Sequence, residues 1–94
     1  MSSEERQQFE KKCQPGKEFI FRMPSGAEAA RADSVKSFFE TLRKAPLESV
    51  LYHANGSHIS PWLEMMGEKR LADKAKTIKG HTELVRIALL NLQK

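Results

Sequence analysis

Proline and glycine interrupt the second half of this 94-residue chain so often that only short helices can form there. Between residues 45 and 80 these helix breakers are Pro46, Gly56, Pro61, Gly67 and Gly80. Proline is favoured at the first position of a helix and glycine just after the last, so each breaker marks a helix boundary. Short helices are stable only when their apolar faces pack together, and this chain is long enough for one such core. The pattern therefore predicts a compact helical bundle.

The apolar residues between the boundaries repeat with helical spacing. The clearest set has positions i, i+3, i+4 and i+7, namely Val35, Phe38, Phe39 and Leu42. Asp33 or Ser34 can cap the first turn, because a short side-chain oxygen accepts the unpaired amides of a helix start. The sequence predicts a helix over residues 34–44, with this stripe in the core.

Two further short helices each open with a proline. The first begins at Pro46 and ends at Asn55-Gly56, where we expect a glycine in the left-handed conformation. The second begins at the Ser60-Pro61 step and ends at Gly67. The residues of this helix that we expect to be buried are Trp62, Met65 and Met66.

The last two helices are predicted over residues 68–78 and from Thr82 onward, with Glu83 in the dipole-favoured first turn. The final helix has apolar residues on more than one face: Leu84, Val85, Ile87, Ala88, Leu89, Leu90 and Leu92. One side of a small bundle needs only a narrower stripe. This helix is therefore either central in the bundle or part of a self-association surface.

The N-terminal region carries different signals. Phe9 is the only apolar anchor within the first twelve residues, and Pro15-Gly16 follows, so we predict a flexible tail over residues 1–17 and a single globular domain over residues 18–94.

The first segment of that domain alternates like a half-buried strand, with apolar side chains at Phe19, Phe21 and Met23. Such a strand pairs with the region 27–32, pairs with another molecule, or is not a strand. The predicted fold is mainly α, a compact bundle of four to five short helices with at most a short β-strand or hairpin over residues 18–32.

The chain is basic, with a net charge of +4 and a pI near 9.4. The cations of one segment, residues 68–79, are Lys69, Arg70, Lys74, Lys76 and Lys79. On a helix the lysines at 69, 76 and 79 share one side, so this face is either solvated or a candidate anion-binding surface. Weak, sequence-nonspecific nucleic-acid binding through the basic helix 68–79 is thus the alternative function.

No arrangement of residues indicates an enzyme, a cofactor site or a metal centre. His53 and His58 are five residues apart with Asn55-Gly56 between them, which breaks the i, i+4 spacing of a helical zinc pair. His53 is interpreted as a structural or surface histidine, with a polar binding contact and a metal ligand as the alternatives. Ser57 has only the adjacent His58 as a base, and the glycines form no phosphate-binding loop.

The chain's single cysteine, Cys13, excludes an internal disulfide, and its polar surroundings favour an inert thiol over a reactive one. No apolar run approaches the length of a membrane span, and the N-terminus is too polar for a secretory signal. We therefore expect a cytoplasmic protein with no membrane partner.

A core and a site can coincide over residues 45–72, which hold the only Tyr, the only Trp and two of the three His. The candidate binding groove consists of Tyr52, His53 and Trp62.

The succession of these residues resembles a family of small prokaryotic domains of unknown function, domain of unknown function 5752. The resemblance covers residues 18–92 and rests on an aromatic-rich start, Ala45-Pro46, Glu48-Ser49-Val50, Tyr52-His53, Trp62, Leu71-Ala72 and a leucine-rich closing helix. It implies a compact domain with no assigned activity, so the resemblance assigns no role to the groove residues. Family members often have Asn-Asp-Phe before the Trp, where this chain has His58-Ile59-Ser60.

One local pattern resembles an interaction fold, and a second lacks part of a nucleic-acid-binding motif. The stretch from Gly80 to Ile87 resembles the last helix of the sterile-alpha-motif domain, a five-helix protein-interaction fold. Residues 78–82 have one glycine where a helix-hairpin-helix motif usually has two. We predict a protein-interaction or regulatory module without catalysis, whose partner is another protein or a second copy of the chain.

Overall fold

The computed structural model describes residues 2–93. Its elements in chain order are α1 (Ser3–Glu10), β1 (Phe19–Arg22), β2 (Glu28–Ala32), α2 (Val35–Lys44), α3 (Leu47–Asn55), α4 (Ile59–Met65), α5 (Lys69–Ala75), α6 (Leu84–Leu90) and a 3-10 helix (Asn91–Gln93). The predicted fold class, mainly α with a short hairpin, is confirmed. The α-helices of the described chain number six, one more than the upper prediction, because α1 forms within the segment expected as a tail.

α1 contacts the rest of the fold without burying any of its own residues. Phe9 stacks on Phe39 of α2 with ring centroids 6.0 Å apart, and Lys12 forms an isolated bridge with Ser34. No residue of α1 is buried. The flexibility of residues 1–17 and the domain boundary after them stay predictions, and Met1 and Lys94 lie outside the described residues.

β1 and β2 form an antiparallel hairpin, so the strand pairs within the chain with the region expected for it. Phe19 lies opposite Ala32 and Phe21 opposite Ala30. The turn closes at Gly26, whose φ of 95° suits glycine and whose amide donates to the Met23 carbonyl at 2.8 Å. Phe19 and Phe21 are buried, as the alternation of apolar residues predicts.

α2 is the element that the sequence predicts best. Ser34 and Ser37 form a reciprocal capping box, each hydroxyl accepting the other residue's amide at 3.0 Å. All four apolar residues of the predicted stripe are buried. The helix over residues 34–44 is confirmed.

The C-terminus of α2 is closed by a side chain from α6. The Arg86 Nη1 atom donates to the carbonyls of Leu42 at 2.8 Å and Ala45 at 2.7 Å. Glu83 orients the same guanidinium by accepting from its Nε at 2.9 Å. The last carbonyls of a helix have no amide partner within the helix. Arg86 supplies the missing hydrogen-bond donors at the end of α2.

The prediction for the α3–α4 junction is wrong at two positions. Gly56 is not left-handed, with a φ of −84°, and Ser57 takes that conformation instead, with a φ of 59°. Lys79 stabilises the turn because its Nζ donates to the Ser57 hydroxyl and to the Ala54 carbonyl. α4 begins at Ile59, which makes Pro61 its third residue; proline fits there because first-turn amides have no intrahelical acceptor.

Two other expectations are corrected farther along the chain. Met65 is 49% exposed, whereas Trp62 and Met66 are buried, so only two of the three expected core residues of α4 face inward. α5 ends at Ala75 rather than at 78, and a turn follows in which the Ile78 amide donates to the Ala75 carbonyl.

An aromatic cluster forms the centre of the core. The ring of Phe19 meets those of Phe21, Phe38 and Trp62 edge to face, at centroid distances of 4.8, 5.1 and 5.6 Å. These separations are typical of favourable aromatic pairs. The same ring lies 4.9 Å from His53, which connects the core to the candidate site.

Candidate functional site

The three residues of the predicted groove differ in exposure. Tyr52 is 39% exposed, whereas His53 is 5% and Trp62 is 9% exposed. The Phe19 ring contacts both His53 and Trp62 and so connects them within the core. Of the three, Tyr52 is the side chain that a partner could touch directly, and a binding role for the set stays a prediction.

His53 forms two hydrogen bonds that together fix its tautomer. Its Nε2 accepts the Arg22 amide of β1 at 2.8 Å, and an amide can only donate. The proton of the neutral ring must therefore sit on Nδ1. That atom lies 3.0 Å from Nδ1 of His58, so His53 donates and His58 accepts.

The surroundings of His53 keep its ring neutral. Burial, then the proximity of His58 and of Arg22, lowers its pKa from 6.5 to about 4. Burial disfavours the charged form of an imidazole, and neighbouring cations act in the same direction. At neutral pH the ring is an uncharged hydrogen-bonding link between β1 and α3.

The same hydrogen bonds argue against a metal ion between the two imidazoles. A metal on Nδ1 of His53 would require that atom's lone pair, and the ring proton would move to Nε2, where it would face the Arg22 amide proton. Among residues 2–93, no three His, Cys, Asp or Glu side chains form a group that could hold a metal.

Trp62 makes the second side-chain contact to this edge of the hairpin. Its Nε1 donates to the Lys17 carbonyl, just before β1, at 2.8 Å. His53 and Trp62 therefore each satisfy a backbone group near β1, on α3 and α4 respectively. Both residues hold the hairpin against the helices, which the sequence could not reveal because their partners are 31 and 45 residues away.

An open groove of about 560 Å³ lies beside the buried pair. It is lined by Pro24, Glu48, Leu51, Tyr52, Asn55, Gly56 and His58. Of the three predicted groove residues, Tyr52 is the one that lines this open groove. Its neighbour there is His58, whose ring lies edge to face at a centroid distance of 5.2 Å. Pro24 reaches the groove from the hairpin turn, which only the fold could bring there.

Ser57 is paired with a lysine and not with the adjacent histidine. Lys79 Nζ donates to its hydroxyl at 2.7 Å and to the Ala54 carbonyl at 3.3 Å. Asn55 joins the same region to residue 80, because its side chain donates to the Gly80 carbonyl and accepts the Gly80 amide. These contacts attach the segment before α6 to the end of α3.

The five cations of the predicted anion-binding set differ in their contacts, and their role stays a prediction. Asp73 lies 3.8 Å from Lys69 and 3.4 Å from Lys76, so one carboxylate partly compensates two lysines. Lys79 lies beyond α5 and reaches the α3 terminus. Within the described chain, no carboxylate lies within 4.0 Å of Arg70 or Lys74, which leaves these two as the separate cations of the set.

α6 exposes part of its broad apolar surface. Leu84 is 71% and Ile87 is 51% exposed, whereas Val85, Leu89 and Leu92 are buried. The helix is therefore a core element on one face and an uncovered apolar surface on another. The core position of the helix is seen in the structure, and a self-association surface stays a prediction.

No protein-family model matches the chain, and no curated protein or solved structure matches it either. The resemblance to the family of small prokaryotic domains stays a prediction. None of the helices over residues 2–93 combines the length and the apolar character needed to cross a membrane.

Proposed function

We propose that this domain is a protein-interaction module without catalysis, and that its contact surface is the exposed face of α6. The observation that carries the proposal is the pair Leu84 and Ile87, which lie one turn apart with more than half of each side chain exposed. Residues at i and i+3 share a helix face, so the two side chains act as one patch. Burying such side chains contributes about 1.5 to 3 kcal/mol each.

The helix pair α3–α6 gives this patch a rigid support. At one end Asn55 is hydrogen-bonded to Gly80, and at the other Arg86 reaches the Ala45 carbonyl just before α3. The segment that carries the patch is therefore attached to both ends of α3. The Tyr52 groove is a separate surface, lined by α3, the turn after it and the hairpin turn.

A second copy of the chain is the partner to test first. Sedimentation velocity over a range of concentrations measures the mass of the unmodified domain and of Leu84→Asp and Ile87→Asp. We expect assembly in the unmodified chain and a monomer in both variants, because a carboxylate at a buried contact is strongly unfavourable.

Met65→Asp is the matched control, since it places the same charge on an exposed apolar residue of α4. It should assemble like the unmodified domain. A monomer at every concentration would contradict self-association, and equal assembly in all three variants would contradict the α6 surface. The buried Leu89 and Leu92 are unsuitable test sites, because aspartate there would unfold the core.

Weak nucleic-acid binding through residues 68–79 stays the alternative prediction. The Asp73 contacts and the position of Lys79 give it less support than a continuous lysine face would. It predicts binding that weakens steeply with salt, because each contacted phosphate releases counterions. Titration with a short mixed-sequence DNA duplex at two salt concentrations tests it.

A further inference from the structure

A second surface combines cations with an exposed apolar side chain. A cleft of about 410 Å³ lies between the end of α1, the segment before β1 and the end of α4. Its apolar floor includes Met65 and Met66, and its rim includes Lys11, Lys12 and Lys17. It shares no residue with the Tyr52 groove or with the exposed face of α6.

The cleft is held open by contacts to α4. The Gln8 side chain donates to the Met66 carbonyl, and the Lys17 carbonyl accepts from Trp62 Nε1 at 2.8 Å. These bonds attach both walls of the cleft to one helix. The exposure of Met65 follows from its position between the walls, where no side chain of the described domain covers it fully.

The charge of the rim is only partly compensated. Asp33 lies 3.8 Å from Lys12, whereas no carboxylate of residues 2–93 lies within 4.0 Å of Lys11 or Lys17. Cys13 lines the cleft as a neutral group, because burial and the carboxylates of Glu18 and Asp33 raise the pKa of its thiol. The cleft therefore offers two uncompensated ammonium groups beside a thioether floor.

We propose that this cleft binds an acidic protein segment, with an aliphatic side chain on Met65 and flanking carboxylates on Lys11 and Lys17. Methionine adapts its shape to varied apolar side chains, which suits a floor of this kind. A peptide is favoured over nucleic acid because the cleft has no arginine fork for phosphates and no exposed aromatic ring for base stacking.

The test uses the full chain and an acetylated, amidated peptide in which one leucine is flanked by glutamates. Amide and methyl NMR spectra are recorded during titration at low salt. We expect shifts at Lys11, Lys17 and the Met65 methyl group, and binding that weakens as salt screens the charges. A peptide with lysines in place of the glutamates should cause none of these shifts.

Charge-reversal variants then distinguish binding of the peptide at this cleft from its non-specific attraction to a basic protein. Lys11→Glu and Lys17→Glu should each weaken binding by about fivefold or more, because an exposed ion pair becomes a repulsion. Lys44→Glu changes the net charge equally on an exposed residue of α2 and should leave affinity unchanged. Equal losses in all three variants, or shifts spread over every lysine, would overturn the proposal. A DNA oligonucleotide that binds the cleft more tightly than the peptide would overturn it in favour of nucleic acid.

Discussion

The hairpin-facing side of α3 and α4 differs from the outward side of α6 in the residues it uses and in what they contact. His53 and Trp62 are rare, polar-tipped side chains, and both are buried with their nitrogens bonded to backbone near β1. Leu84 and Ile87 are ordinary aliphatic residues, and both are exposed. Unusual residue types here therefore mark internal attachment, while the exposed apolar surface of α6 is made of common ones.

Removing Trp62 is expected to have the largest effect on the attachment of the hairpin. Trp62→Ala should lower the free energy of unfolding by about 3 to 5 kcal/mol, because it leaves a cavity beside Phe19 and Phe38 and an unpaired Lys17 carbonyl. Urea unfolding followed by circular dichroism measures the loss. Trp62→Phe keeps most of the packing and should lose only about 1 kcal/mol. A loss below 1 kcal/mol for the alanine variant would show that Trp62 is not an attachment point.

Acidification tests the histidine half of the attachment. Because the pKa of His53 is lowered to about 4 in the fold from 6.5, the unfolded chain binds more protons between these values. Stability is therefore fully present above pH 6.5 and is lost as the pH falls towards 4, by about 3 kcal/mol in total. Unfolding free energies between pH 6.5 and 5 record this effect with little contribution from carboxylates, most of which stay ionised there.

His53→Gln is the control for this titration, because its side-chain oxygen can accept the Arg22 amide without titrating. Its stability should vary less between pH 6.5 and 5 than that of the unmodified domain. An identical pH dependence in the two proteins would show that His53 is already protonated in the fold, or that burial does not change its pKa.

A smaller effect is expected where α6 meets the end of α2. Arg86→Met keeps an apolar stem but removes the donors to Leu42 and Ala45, so stability should fall by about 2 kcal/mol. Arg43→Met, on an exposed residue of α2, should change it by less than about 0.5 kcal/mol. Thermal unfolding of the two variants measures the difference, and equal melting temperatures would remove the proposed capping role.

The sequence predicts the elements whose signals are local. Ser34 and the apolar stripe define α2, and the alternation at Phe19 and Phe21 indicates the strand, because each depends on neighbours within one element. The left-handed Ser57 was not predictable, since Lys79, 22 residues away, stabilises that turn. Met65 and Met66 are adjacent and equally apolar, so the sequence does not reveal which of the two is buried. The contact of Gln8 with the Met66 carbonyl is likewise known only from the fold.

The candidate site divides in the same way. Tyr52, His53 and Trp62 could be singled out by residue type, but their orientation depends on partners in β1 and before it. The exposed part of α6 cannot be located from the sequence, because a helix with apolar residues on several faces does not reveal which face the bundle covers. The lysine cleft was missed, since Lys11, Lys17 and Met65 are distant along the chain and carry no motif.

The smallest expected effect distinguishes an exposed face from a core face within one helix. Leu84→Asp should change the unfolding free energy of the isolated domain by less than about 0.5 kcal/mol, since the side chain is 71% exposed and a carboxylate near a helix N-terminus is favourable. Leu89→Asp, five residues later and fully buried, should unfold the domain. Urea unfolding at a concentration where the chain is monomeric separates these outcomes from assembly. If Leu84→Asp were as damaging as Leu89→Asp, the exposed face of α6 would be part of the core and the proposed contact surface would lose its basis.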